Sequence, residues 1–203
     1  AGVFILVGLY MLQPNQAAIL NLFGRYAGTD RTEGLRWANP FYVKRKISLR
    51  ARNLNAPTLK VNDKRGNPVE IASVVVWRVD DTAQAAFDVE DCQSYVQVQS
   101  EAAIRSIASR FAYDHGVEHE PTLRGSADEV AQALQEELQV RLAKAGVTVE
   151  EARLTHLAYA PEIDSVMLCR QQAEAIIAVR QLIVQGSVGM VESALTQLER
   201  NGV

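Results

Sequence analysis

Residues 59–81 read "LKVNDKRGNPVEIASVVVWRVDD". Two β-prone runs, 58–62 and 69–79, flank Asp63, Gly66, Asn67 and Pro68, residue types that supply turn chemistry. The stretch therefore predicts a hairpin, and its second strand is the most β-branched run in the chain. Upstream, "KISLRAR" (46–52) alternates Ile47, Leu49 and Ala51 with Lys46, Ser48, Arg50 and Arg52, the period of a half-buried strand. Further back, "AAILNLFGRYAG" (17–28) reads as one more strand.

Downstream of Asp80 the period changes. "AQAAFDV" predicts a short helical turn. Residues 91–112 place Tyr95, Ile104, Ile107, Ala108 and Phe111 on one face of an amphipathic helix. After a polar loop (113–125), Ser126 and Glu129 have capping-box spacing. Val130, Leu134, Leu138 and Leu142 follow at intervals of four, and Gly146 supplies a helix stop. Residues 147–159 return to a strand whose alternation slips at Glu150/Glu151, as a bulge would make it. Pro161 then suits a first helical position, and nothing interrupts the helix from Glu162 to about Leu198.

That last helix carries its own pattern. Ile177, Val184, Val191 and Leu198 fall every seven residues, with Val188 and Leu195 four after 184 and 191, which predicts a coiled-coil-like seam. Ile176, Ile183 and Met190 form a second row about 100° around the helix. Two apolar rows call for two neighbours; the competing reading folds the helix back on its own domain. Glu174 and Gln181 weaken the seam, and Gly186 and Gly189 cost about 1 kcal/mol each relative to Ala.

The chain has 203 residues, 48% hydrophobic and 22% charged, with a net charge of −3. This is globular composition, not that of a disordered chain. Charge is unevenly spread: residues 25–65 hold eleven Lys/Arg against three acidic residues, a local +8, which leaves −11 elsewhere. Cys92 and Cys169 are far apart in sequence and predict free, buried thiols. The first twelve residues, "AGVFILVGLYML", are uncharged but fewer than the roughly 20 needed to cross a bilayer. They read as the trailing end of a membrane helix formed by Val3, Phe4, Ile5, Leu6, Val7, Leu9, Tyr10, Met11 and Leu12. A buried first strand, a signal-peptide remnant and an interfacial segment are competing readings.

Candidate chemistry is sparse. His115 and His119 lie four apart in "HGVEHE", but Gly116 and Pro121 break the helix that would align them, so a solvated loop is expected rather than a metal site. His156 sits within a strand, as a packed, hydrogen-bonded histidine would. Glu162 suits a helix N-terminus. No nucleophile elbow, phosphate loop, zinc helix or dinucleotide fingerprint occurs, so no catalytic, cofactor or metal residues are assigned. The basic stretch "GLRWANPFYVKRK" (34–46) raises three possibilities: core, nucleic acid or membrane. Its closeness to an uncharged apolar segment favours anionic headgroups, each Lys/Arg being worth about 1 kcal/mol at such a surface. Trp37, Phe41 and Tyr42 would then sit at headgroup level, with Arg36, Lys44, Arg45 and Lys46 meeting phosphates and no nucleic acid involved.

The order of features, with "NPVEIA.VVVW" (67–77), "HLAYAPEI" (156–163) and "GSVGMVE.AL" (186–195), resembles the SPFH or band-7 family, which includes stomatins, prohibitins and flotillins. Within it, these motifs are most like a bacterial-type branch. The resemblance implies an α+β fold. An end of a transmembrane anchor (1–13) would precede a membrane-proximal subdomain (14–55) and a main α/β subdomain (56–160), followed by the start of a long oligomerisation helix (161–203). It further implies a non-enzymatic, membrane-anchored scaffold whose copies form a large ring or cage around lipids or membrane-protein clients. The alternatives are a dedicated regulator of one client, such as a membrane protease or channel, and a soluble enzyme. No cysteine lies within residues 1–50, which gives lipidation there no support. Positive charge near the anchor, together with free thiols, points to a single-pass protein with its domain on the cytoplasmic side.

Overall fold

The computed structural model describes residues 8–114 and 120–200, apart from the side chains of Leu195, Leu198 and Glu199. The chain divides into two compact units, residues 1–158 and 159–203. The first opens with four strands, β1 (Leu9–Leu12), β2 (Gln16–Leu22), β3 (Arg25–Asp30) and β4 (Gly34–Trp37), followed by β5 (Tyr42–Ser48). β1 pairs antiparallel with β4, and β2 lies between β3 and β5.

Two expectations change here. Leu9–Leu12, expected as the end of a membrane helix, form β1: Leu9 pairs with Trp37 and Met11 with Leu35, while Leu12 is buried. The apolar run is an edge strand because a partner strand satisfies its backbone, which no local signal reveals. Val3–Val7, also assigned to that helix, lie outside the described residues. The run 17–28 is two strands rather than one. Phe23 (φ 49°) and Gly24 (φ 82°) are both left-handed, the requirement of a two-residue type I′ hairpin turn.

The second half of this unit is a sheet covered by helices. β6 (Arg52–Asn55) and β7 (Leu59–Asn62) lie end to end along one edge of β8 (Pro68–Val79), and β9 (Val147–Tyr159) pairs with β8 as well. The N–H of Ala56 donates to the Ser73 carbonyl at 2.9 Å, which carries the pairing across the β6–β7 gap. The expected strand over 46–52 thus ends at Ser48, and Leu49 instead donates its N–H to the Asn15 carbonyl. In β8, Val69, Ile71, Ser73, Val75, Trp77 and Val79 are all buried while the alternate positions are not. Period two has sorted one face inward.

Against this sheet pack α2 (Cys92–Arg110) and α3 (Ala127–Leu142), preceded by the short α1 (Thr82–Phe87). α2 buries Val96, Ala103, Ile104, Ile107 and Ala108, and α3 buries Val130, Leu134, Leu138 and Leu142. Asp81 and Asp91 cap α1 and α2 through their side chains. Ser126 does not cap α3. The Thr122 hydroxyl accepts from Gly125 N–H instead, and the Ser126 N–H goes to the Thr122 carbonyl, so the loop is closed by a different residue from the one the capping spacing suggests. Gly146 ends the following turn at φ 62°, and its carbonyl accepts from Asp80 and Asp81 at 2.8 and 3.0 Å. An added Cβ would press on Asp81, so the position requires glycine twice over.

β9 keeps its expected irregularity: Val147, Val149 and Ala152 are buried, with Glu150 and Glu151 both exposed between them. The side-chain amide of Gln135 donates to the carbonyls of both Val149 and Glu150, and Gln139 both donates to Val147 and accepts from the Val149 N–H. α3 therefore covers part of the backbone of this strand, which protects it from stray pairing.

The second unit is one helix, α4 (Pro161–Arg200). Among the described residues it is the one helix long and apolar enough to cross a membrane by length and composition, over Pro161–Ala194.

Candidate membrane-facing end and assembly helix

One end of the β3–β2–β5 sheet carries exposed aromatic groups. Because Leu22 pairs with Tyr42, the Phe23 turn lies beside the β4–β5 connection, and the Phe23 and Phe41 rings stand 6.3 Å apart. Phe23 is 84% exposed, Trp37 56% and Phe41 57%. The connection is tight: Tyr42 N–H donates to the Asn39 carbonyl at 2.9 Å, and Phe41 N–H to the Asn39 side chain at 3.2 Å. Leu35 and Met11, paired across β1–β4, are exposed too.

The basic residues divide. Lys44 and Lys46 share a strand face with Tyr42, whereas Arg45 alternates to the other face with Val43; Arg45 and Lys46 both border a pocket formed with Arg52, Asp91 and Cys92. Lys44 Nζ donates to the Gly8 carbonyl at 3.1 Å and lies 5.2 Å from the Tyr10 ring centre. Arg36 pairs with Asp30 at 3.2 Å. The cations grouped by sequence thus do not form a single patch. Phe23, the most exposed aromatic residue, was missed; its signal was a glycine directly after it inside an otherwise strand-like run.

Asp30 organises the base of this end. It accepts from the Tyr10 hydroxyl at 2.5 Å, from Arg36, and from the Thr32 N–H at 3.0 Å, tying together β1, β3 and β4. Desolvation opposes its ionisation, but the hydrogen bonds from Tyr10 and Thr32, helped by Arg36, outweigh that and hold its pKa at about 2. Burial, then the bond to Asp30, pushes Tyr10 up to about 12. The linkage signs follow. Asp30 is depressed, so its contribution is present above 3.8 and is lost as pH falls from there toward 2. Tyr10 is raised, so its contribution is present below 10 and is lost as pH rises toward 12. Asp30→Asn should therefore flatten the acid limb of a stability-versus-pH curve by about 1–2 kcal/mol, read by urea titration at pH 6 and pH 3. An unchanged acid limb would remove Asp30 from this role.

Other candidates are placed as follows. His115 and His119 lie outside the described residues. His156 is exposed on β9, not packed, beside Tyr113, Leu123 and Arg124. Cys92 is half-buried, and burial raises its pKa, whereas Cys169 is exposed rather than buried because its helix has no covering layer. Among the described residues no cluster of three or more His, Cys, Asp or Glu could hold a metal.

In α4, Ile176, Ile177, Ile183, Val184, Val188, Met190 and Val191 are all between 53% and 74% exposed. The packing expected of Leu195 and Leu198 falls outside the described side chains. Glu174 is held by Arg170 at 2.7 Å, an i, i+4 ion pair.

The first unit is thus a two-layer α+β domain with an exposed aromatic end, and the second a 40-residue helix with exposed apolar rows. The family model for the SPFH domain / Band 7 family matches residues 10–187, and the chain belongs to that family, whose members are generally membrane-associated, non-enzymatic scaffolds. A search of curated proteins returned no match.

Proposed function

We propose that this chain is a membrane-anchored scaffold whose copies assemble through α4 into a ring or cage that confines lipids or membrane-protein clients. The observation that carries this reading is the bare apolar surface of α4, where nine large apolar side chains between residues 176 and 191 are more than half exposed. Monomeric proteins seldom leave so long an apolar row in water. Lipid is the weaker cover. Arg180 falls near the middle of the apolar segment, where an arginine in the bilayer costs about 2.5–3.5 kcal/mol. In addition Glu174, Gln181, Gln185 and Glu192 recur at spacings of seven, four and seven as a polar stripe along one side. A helix with one wet side and several dry ones fits a wall of helices.

Membrane attachment is assigned to the Phe23, Trp37 and Phe41 end, with Lys44 beside it and the apolar residues Val3–Val7 adding anchorage. Mass measurement of the full chain in mild detergent tests the assembly. The expected result is a species of many copies; a monodisperse monomer retaining α4 would sink the ring.

A further inference from the structure

We infer that the pocket between β5, the start of β6 and the α1–α2 turn binds a small soluble anion bearing a phosphate group, held by Arg45, Lys46 and Arg52. The pocket has a volume of about 220 Å³, and the buried Val79 and Ala85 line it together with Ser48. Drug-sized ligands occupy about 300–1,000 Å³, so the size suits inorganic phosphate or a phosphomonoester of a few carbon atoms.

Charge selects the ligand. β5 pairs only with β2, so long side chains from both of its faces can reach round its free edge. Arg45 and Lys46 therefore border one pocket although they alternate along the strand. Arg52, from β6, has its guanidinium carbon 5.5 Å from the Trp77 ring centre. Trp77 is buried, so its ring is a fixed platform, and a guanidinium resting on it keeps its fork of N–H donors free for two oxygens of one phosphate. None of the three side chains has a hydrogen bond or an ion pair among the described residues.

Two carboxylates at the rim leave the cations unanswered. Both oxygens of Asp91 accept N–H groups, from Gln93 and Ser94, at the start of α2. Glu90 forms no ion pair among the described residues. Gathering like charges costs energy that an anion recovers. A phosphate brings a charge of about −2 and three acceptor oxygens, a closer match to three cations than a carboxylate with one charge and two oxygens.

A lipid headgroup carries the same chemistry, but the pocket stands away from the aromatic end. At about 3.4 Å per residue, Ser48 lies about 20 Å along β5 from Tyr42 and the Phe23 and Phe41 rings beside it. The polar layer of a leaflet is only about 5–8 Å deep. The choice of a soluble source rests on the membrane seat proposed above.

Protection of the Cys92 thiol, which lines the pocket, tests this in the full chain carrying Cys169→Ser, in mild detergent at constant ionic strength. With glycerol 3-phosphate as the probe, alkylation by iodoacetamide should slow about tenfold or more at about 20 mM, for an affinity near 1 mM. Each of Arg45→Gln, Lys46→Gln and Arg52→Gln should raise the half-protecting concentration about tenfold. The first two leave the Trp77 platform untouched, so their effect does not depend on the packing of β8. Cys169 in a Cys92→Ser chain should react at a rate the probe does not change. The phosphorus-31 resonance of the probe reads binding without the thiol: the chain should broaden it, and the triple glutamine variant should not. Protection equal in all the variants, or a probe that neither protects nor broadens, would overturn the inference. Phosphatidic acid vesicles that protect Cys92 where glycerol 3-phosphate does not would make a lipid headgroup the ligand and overturn it as well. Failure of the membrane seat shows separately, as vesicle flotation unaffected by substituting Phe23, Trp37 and Phe41.

Discussion

A chain beginning at Gly8 and carrying Phe23→Ser, Trp37→Ser and Phe41→Ser is expected to bind anionic vesicles about 100-fold more weakly than the same chain without the substitutions. The three rings are 84%, 56% and 57% exposed, so their apolar surface is free to enter a headgroup layer. Complete burial of such a side chain is worth about 1.5–3 kcal/mol, and partial insertion near half of that. Three rings then contribute about 3 kcal/mol, and each 1.4 kcal/mol is a factor of ten. Removing residues 1–7 isolates the aromatic end from any binding by Val3–Val7 and leaves β1 in place. Arg45→Gln is the control, because Arg45 lies on the opposite strand face and should change vesicle flotation little. Flotation that survives the triple substitution would return Phe23 and Phe41 to a protein-facing role.

That control exposes how far the sequence could be read. Hairpin 59–79 was legible because its signals are local: period two on both arms and four turn residues between them. The α3 row at 130, 134, 138 and 142 was legible for the same reason, and all four side chains are buried. What failed depended on partners distant in sequence. Leu9–Leu12 carry no strand signal that separates them from the end of an apolar helix; their pairing with Gly34–Trp37 makes the difference. Ser126 and Glu129 have the right spacing for a capping box, but Thr122 closes the loop first. Lys44, Arg45 and Lys46 looked like one patch as a run of charge, although strand alternation alone already put Arg45 on the other face. The β2–β3 turn was hidden because phenylalanine, an unusual residue at positive φ, occupies its first position.

Asp63→Ala is expected to destabilise the first unit by about 3–4 kcal/mol, the largest single-residue loss outside the apolar core. The side chain is 5% exposed and accepts four hydrogen bonds. Oδ1 takes the N–H groups of Arg65 and Asn67, both at 2.8 Å, while Oδ2 takes the Asn67 side-chain amide and the Tyr113 N–H, both at 3.1 Å. Three of these order the β7–β8 turn, and the fourth ties it to the end of α2, fifty positions away in sequence. Alanine would leave four donors without acceptors, each costing about 1–3 kcal/mol when fully buried; water reaching the turn brings the sum down to the figure given. Asp63→Asn keeps an acceptor oxygen but turns an amide NH2 toward donors, so about half the loss is expected. Urea unfolding followed by Trp77 fluorescence reads both variants, since Trp77 is buried on the same β8 strand. At a slope of about 1–3 kcal/mol per molar, the midpoint should fall by more than about 1 M in the alanine variant. A shift no larger than that of an exposed substitution such as Lys60→Ala would mean that the turn holds through Gly66 and the strand pairing alone, and that the link from Asp63 to Tyr113 is dispensable.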